Sequence, residues 1–444
     1  MRARPGWTLF VLFLLNTFNF FDRNVLGAVV EPLRRDWRLT DAEVGWLGTA
    51  FTLLYAVVGL PMGRLADSGR RTTLLAGGAL LWSAMTALSA LTSTFRGLFA
   101  ARLAVGVGEA VCAPAATSLI ADLYPSARRG RATAVFMLGL PVGVGLSYAI
   151  GGAVAQAWGW RAAFLVAGLP GLAVALLCLL LPEPVRGAAE AHPVGAARRP
   201  GSALGVLVRT PTLSWIVLSG ALHNFNMYAL AIFVPAYLSR HHGLTVADAG
   251  ALSGLMFGVF GGLGMVLGGW VGDRVAMSRE GGRLLTSAVA LATSVPLLLL
   301  FLGQPRGAVG PALVFVCPAL LLMYLYYAPV YATIQDIVEP SRRGTAMAVY
   351  FFAMYLLGAS LGPVGTGVLS DRLAARAAAA AGAPAVTEAF RAVGLHQAMY
   401  IVPLLTVGLA LVLLAGARAA VRDRRLLTTW MEAARASQEP VAGG

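Results

Sequence analysis

Twelve apolar runs, each about as long as a bilayer is thick, constrain this chain more than any other feature. A helix needs about 20 mostly apolar residues to cross the hydrocarbon layer. Such runs lie at roughly 7–30, 44–62, 72–94, 97–122, 131–156 and 161–181, then at 212–237, 248–271, 284–303, 309–337, 345–369 and 396–417. A water-soluble fold has no interior large enough to hide them all. Charged residues are 12% of the 444, against about 25% in a soluble domain. Lipid is therefore the solvent, and the expected class is an all-α membrane protein of twelve transmembrane helices. The opening "MRARPGWTLFVLFLLNTF" is basic and then apolar, like a signal peptide. No small-x-small cleavage site follows, so it reads as an uncleaved first span.

The basic residues are all arginine, 34 in number, and the net charge is +14. They fall in the links between apolar runs, which argues for topology and against a nucleic-acid partner. With the N-terminus placed in the cytoplasm, the inside segments hold 22 arginines and the outside loops 10. The remaining two, Arg23 and Arg102, lie within spans. The expected setting is a cell (inner) membrane, with both termini cytoplasmic. Cys112, Cys178 and Cys317 sit inside apolar runs, with no CxxC and no histidine at ligand spacing. They read as core residues, and no metal site is expected.

The two halves of the chain repeat. "GRLAD" at 63–67 returns as "GWVGD" at 269–273, an offset of 206. "RRGRATAVF" at 128–136 returns as "RRGTAMAVY" at 342–350, an offset of 214. This divides the chain into a six-helix bundle over 1–181, a cytoplasmic linker over 182–211, a second bundle over 212–417 and a cytoplasmic tail over 418–444. Paired repeats with a site at their interface are a common construction of secondary transporters.

The candidate site is written in charge. A charge at the bilayer centre costs about 2.5–3.5 kcal/mol or more on insertion scales. "FNFFDRNVLG" nonetheless puts Asp22 and Arg23 inside span one. Asn16, Asn19, Asp22 and Arg23 share one arc of about 120° at 3.6 residues per turn. Such a stripe is expected to face a water-filled cavity. "RLAVGVGEA" puts Arg102 and Glu109 two turns apart in span four. Two acids and two bases can compensate one another, which makes them tolerable. As mere glue they are a poor solution, because buried ion pairs do not reliably outperform apolar packing. An acid whose arginine neighbour moves can load and release a proton. Span seven offers His223, Asn224, Asn226 and Tyr228 as polar lining but no acid or arginine. His223 reads first as a core histidine. "YLYYAPVYATIQD" (324–336) brings four tyrosines to span ten, for packing or for an apolar tail. "RLAARAAAAAGAPAV" (372–386) reads as an outside excursion, loose or helical, with no assigned function.

The pattern resembles the major facilitator superfamily over nearly the whole chain. "GRLADSGRR" is similar to that superfamily's signature between spans two and three, with one residue fewer between aspartate and glycine. "FDRNVLG", "RLAVGVGEA" and "GLPVGVGLSYAIGG" most resemble the Spinster family, whose members are associated with lysophospholipid and sphingolipid-phosphate transport. The organic-anion/proton symporters, which carry sugar acids and similar small anions, also often have DR in span one and GxxEA in span four. The resemblance implies a fold of two six-helix bundles with Asp22 and Glu109 as proton-coupling acids. Arg23 and Arg102 would then modulate them or anchor an anionic head group. It also implies a cytoplasmic gate in which Asp67 and Asp273 meet the opposite half's fifth helix. That gate would involve Arg70, Arg71, Arg128, Arg129, Arg342 and Arg343. The expected partners are the lipid bilayer, an amphiphilic or anionic substrate and protons. The expected form is a monomer, with no cofactor and a proton gradient as energy source. No HExxH, GxSxG or Walker motif occurs, so an intramembrane enzyme or an ATP-driven pump fits poorly. A non-transporting receptor on the same fold is opposed by the buried charges alone.

Overall fold

The computed structural model describes residues 5–185, 210–338 and 342–436. Most of the expected linker, from residue 186 to 209, lies outside the described residues. Among those described, twelve helices are long and apolar enough to cross a membrane. In the first half they are α1 (Pro5–Trp37), α2 (Asp41–Ser68), α3 (Arg71–Ser89), α4 (Phe95–Leu123), α5 (Arg128–Trp158) and α6 (Trp160–Leu179). In the second half they are α7 (Pro211–His242), α8 (Val246–Ser278), α9 (Gly282–Leu302), α10 (Val309–Ile337), α11 (Thr345–Ala380) and α12 (Glu388–Leu427). The alanine-rich stretch, expected as a loose or helical excursion, continues α11 in helix as far as Ala380.

Five of these helices are interrupted, and a proline follows shortly after each break. A proline has no N–H to offer the carbonyl four residues earlier, and its ring crowds that turn. The interruptions at Ala110–Val111, Leu138, Leu325–Tyr326, Ser360 and Tyr400 precede Pro114, Pro141, Pro329, Pro363 and Pro403 by three or four residues. Two further stretches, Leu255–Phe260 in α8 and Met354–Ala359 in α11, widen into π-helix.

The repeat is visible in side chains as well as in sequence. In the first half, Arg71 at the start of α3 binds Asp122 at the end of α4. In the second, Arg283 at the start of α9 binds Asp336 at the end of α10. The two halves meet along α2/α11 and α5/α8. Both seams require glycine, because backbone meets backbone there. At α5/α8, a Cβ on Gly152 would lie 2.8 Å from the Val246 carbonyl oxygen, and one on Gly250 would lie 2.5 Å from that of Tyr148. At α2/α11, Gly45 and Gly367 play the same part. We call the face where α1 begins and α12 ends proximal, and the opposite face distal.

Candidate functional site

Arg23 and Glu109 form the centre. Glu109 Oε2 accepts from Arg23 Nε at 3.0 Å and Nη2 at 2.8 Å. Glu109 is fully buried and the Arg23 side chain 8% exposed. The guanidinium also stacks on Phe20, Phe51 and Tyr55, with ring centroids 4.7, 4.4 and 5.1 Å away. A buried charge needs partners on every side, and here a carboxylate and three π-faces supply them.

Arg102 is 1% exposed and does not take Glu109 as its hydrogen-bond partner. Its Nη1 donates to the carbonyl of Asp22 at 3.2 Å and its Nη2 to that of Arg23 at 3.1 Å. The Ser147 hydroxyl of α5 donates to the Phe21 carbonyl at 2.7 Å. Three consecutive carbonyls of α1 thus receive side-chain donors from α4 and α5. The middle of α1 is gripped through its backbone.

The polar stripe of α1 does not face one cavity. Asn16 Nδ2 donates to the Phe136 carbonyl of α5 at 2.9 Å. Asn19 Oδ1 accepts from Arg23 Nη2 at 3.4 Å. Asp22 is fully buried and turns into the first bundle, toward α3 and α6. A Cβ on Gly171 of α6 would lie 3.9 Å from its Oδ2. The hydroxyls of Ser83 and Thr86 stand on the same side. Neither Asp22 oxygen has a hydrogen-bond partner among the described residues, and both hydroxyls are unbonded too. Of the stripe, only Arg23 reaches the seam between halves. There it lines a small cavity of about 20 Å³ with Arg102, Phe51, Tyr148 and Tyr228. That is room for about one water.

The second half lacks the charges. "NTFN" at 16–19 aligns with "HNFN" at 223–226, an offset of 207 that places Ala229 and Leu230 opposite Asp22 and Arg23. His223 is fully buried, stacked on Tyr326 at 4.0 Å and edge-on to Tyr327 at 4.9 Å. Tyr327 donates to Asn224 Oδ1 at 3.3 Å. Asn226 turns to α12, donating to the Thr406 hydroxyl at 3.0 Å. The tyrosines of α10 join Tyr350 and Phe351 of α11 in one aromatic layer. Tyr355 of α11 meets Tyr55 of α2 across the seam, 4.6 Å between centroids.

The expected proximal gate looks different. Asp273 accepts from Arg283 Nη2 at 2.8 Å and Nε at 3.0 Å, within its own half and not from Arg128 or Arg129. The short link between α8 and α9 puts that arginine within reach. Arg71 is likewise held inside the first half, by Asp122 and by Glu183, whose Oε1 accepts from its Nε at 2.7 Å. Burial raises the proton affinity of Glu183. The Thr72 backbone N–H, Arg71 and the Thr72 hydroxyl outweigh it and hold the carboxyl below its ordinary range. Arg129 donates to the carbonyls of Ala121 and Tyr124. Arg70 and Arg128 are exposed, Arg342 and Arg343 half-buried. The side chain of Asp67 lies outside the described residues.

A distal network is the part that sequence reasoning passed over. Arg240 of α7 reaches Glu31 of α1 at 2.7 Å and Asp41 of α2 at 2.8 Å. Arg34 of α1 reaches Glu388 of α12. The available signal was the density of acids and arginines where spans end, as in "VVEPLRRDW".

A family model described as Major Facilitator Superfamily matches residues 12–363. A Mycolicibacterium smegmatis protein named MFS-type efflux pump is 33% identical over 375 residues, covering 83% of this chain and 86% of that one. Protein spinster homolog 1 of Mus musculus is 33% identical over 394 residues, covering 84% of this chain and 74% of its own. A sphingosine-1-phosphate transporter of Danio rerio, SPNS2, is 29% identical over 377 residues, 81% of this chain and 74% of that one. Among solved structures, a bacterial homolog of the human lysosomal transporter Spinster, inward-facing and unoccupied, superposes with a TM-score of 0.86 at 26% identity. The match covers 96% of this chain and 99% of that one.

Proposed function

This chain belongs to the Major Facilitator Superfamily, as a Spinster-like membrane transporter and not an enzyme, and from that premise we propose a proton-coupled carrier of an amphiphilic anionic lipid. Parallel repeats about an axis along the membrane normal, for which this superfamily is the standard example, move by rocking of one half against the other. The carrier acts as a monomer, since one chain contributes both halves. Its termini lie in the cytoplasm, as the arginine bias argues.

One observation carries the proposal. Asp22 is buried without a hydrogen-bond partner, one residue from the Arg23–Glu109 pair, and the second half has no counterpart to either acid. Two acids and one mobile arginine are a proton relay in outline. When Arg23 serves Glu109, Asp22 holds the proton. When rocking moves Arg23 off Glu109, that acid takes one instead. Arg23 and Arg102 suit a phosphate or carboxylate head group. The uncharged aromatic layer of α10 and α11 suits an acyl chain. The named relatives favour a lipid phosphate over a sugar acid.

The test is a thermal-shift screen of the purified protein followed by counterflow in proteoliposomes. Lysophospholipids and sphingoid phosphates should raise the melting temperature and exchange across the vesicle. A response to sugar acids or small carboxylates alone would overturn the lipid assignment. Counterflow unaffected by a pH gradient would overturn the coupling.

A further inference from the structure

The distal face carries two related cross-half contacts, each from a side chain to the start of a helix. Asp371, late in α11, accepts from the backbone N–H groups of Asp41 at 3.0 Å and Ala42 at 2.8 Å. These are the first residues of α2, in the opposite half. Gln156, late in α5, accepts from the backbone N–H of Ala247 at 2.9 Å. Ala247 lies in the first turn of α8, again in the opposite half. The repeat relates the two bonds. The α2/α8 offset of 206 carries Asp41 onto Ala247, and the α5/α11 offset of 214 carries Gln156 to Ser370, next to Asp371.

The two bonds differ in charge. Asp371 is an acid at a helix start whose unbonded N–H groups favour an anion. Arg240 stands at the same corner, bound to Asp41 through both Nη atoms at 2.9 and 2.8 Å. The Ser370 hydroxyl donates to Asp41 Oδ2 at 2.6 Å. Gln156 is neutral, and the first turn of α8 already has its own acid, Asp248, bonded to Thr245. A second acid there would face repulsion. At α2 two arginines offset that repulsion: Arg240 binds Asp41, and Arg391 of α12 stands 3.8 Å from Asp371 Oδ1.

We infer that Asp371 and Gln156 are paired latches of the distal gate, with the charged α2/α11 latch holding more of the closure than the neutral α5/α8 one. Each helix start in one half is stoppered by a side chain of the other, so rocking must break both. This inference rests on the chain being a rocking transporter, and its readout needs no substrate.

Spin labels test it. One pair, at Ser93 and Ala385, spans the distal ends of the two halves. A second pair, at Gly130 and Ser278, spans the proximal ends. Both are measured by double electron–electron resonance in lipid nanodiscs. Asp371→Asn turns the charged latch into a copy of the neutral one. It should raise the distal-apart population about tenfold, the reach of one charge-assisted hydrogen bond. The proximal pair should draw together in step. Gln156→Ala should give about threefold or less, and the double variant should exceed either. Distances unchanged in Asp371→Asn would overturn the inference. So would a broadening of both pairs together, which is loosening of the fold and not gating. Reciprocal distances without lipid transport would leave the gate standing and overturn only the substrate assignment.

Discussion

Glu109 Oε2 takes two hydrogen bonds from Arg23, 3.0 Å from Nε and 2.8 Å from Nη2, between helices 86 residues apart in sequence. The pair joins α1 to α4 with its carboxylate fully buried. Its members are therefore unequal to lose. Removing the arginine strands a fully buried carboxylate, whereas removing both leaves only a gap.

Arg23→Ala is expected to destabilise the protein by about 3–5 kcal/mol, the usual cost of an orphaned buried charge. Adding Glu109→Gln should restore part of that loss, because the stranded group no longer ionises. Thermal unfolding in one detergent checks both. If the double variant melts as low as Arg23→Ala, then stacking on Phe20, Phe51 and Tyr55 carries the stability and the charge pair does not.

Glu183 gives a pH dependence. Its folded carboxyl lies below its ordinary value because Thr72 and Arg71 outweigh burial. A depressed carboxyl contributes stability above its unfolded value, about pH 4.3. It loses that contribution as pH falls through the folded value. The melting-temperature gap between parent and Glu183→Gln should hold steady from about pH 7 to 5.5 and narrow below about pH 4. A gap constant at every pH would show that Glu183 acts as a neutral cap of α3.

Much of this was legible in the sequence because it depends on local rules. Span positions follow from hydrophobic length; the five helix breaks do not follow from proline alone, since Pro32, Pro61, Pro170, Pro235, Pro296 and Pro318 lie inside unbroken helices. The division into halves follows from two repeated motifs, and the side-chain pairs Arg71–Asp122 and Arg283–Asp336 repeat it in space. The buried charges announced themselves by their cost. What stayed hidden depends on which neighbour reaches a group first. A helical wheel put Asp22 and Arg23 on one stripe, yet Asp22 faces α3 and α6 while Arg23 faces the seam. Glu109 could have paired with Arg102 two turns away on its own helix, and Arg23 took it instead. The distal clamp of Arg240, Glu31 and Asp41 joins residues from three helices of both halves. No spacing rule brings those together.

Arg102 allows charge and position to be separated. It donates to two carbonyls of α1, which a planar guanidinium can do and an ammonium cannot match. Arg102→Ala should weaken binding of an anionic amphiphile about tenfold, one charge-assisted hydrogen bond's worth, by isothermal titration. Arg102→Lys should keep most of the affinity and still lower the melting temperature, because the second carbonyl loses its donor. Equal affinity in all three proteins would place the head group elsewhere.

The last prediction concerns the two acids. Asp22 and Glu109 are both buried, but their circumstances differ. Glu109 has an arginine on one oxygen, while Asp22 has no hydrogen-bond partner on either. Neutralising Glu109 breaks a charge pair and leaves Arg23 unanswered, so Glu109→Gln should melt lower than the parent by several degrees. Neutralising Asp22 breaks no ion pair among the described residues. Asp22→Asn should stay within about 1 kcal/mol of the parent in stability, since the protonated acid it replaces is already neutral and of nearly the same shape. Function should follow the opposite order. Both variants should still bind substrate, and both should stop responding to a pH gradient, with the larger loss at Asp22. Stability that is kept while coupling is lost cannot come from misfolding, which makes Asp22→Asn the more telling variant. If it accumulates substrate against a gradient as well as the parent does, then Asp22 is a packing residue and the proton takes another route.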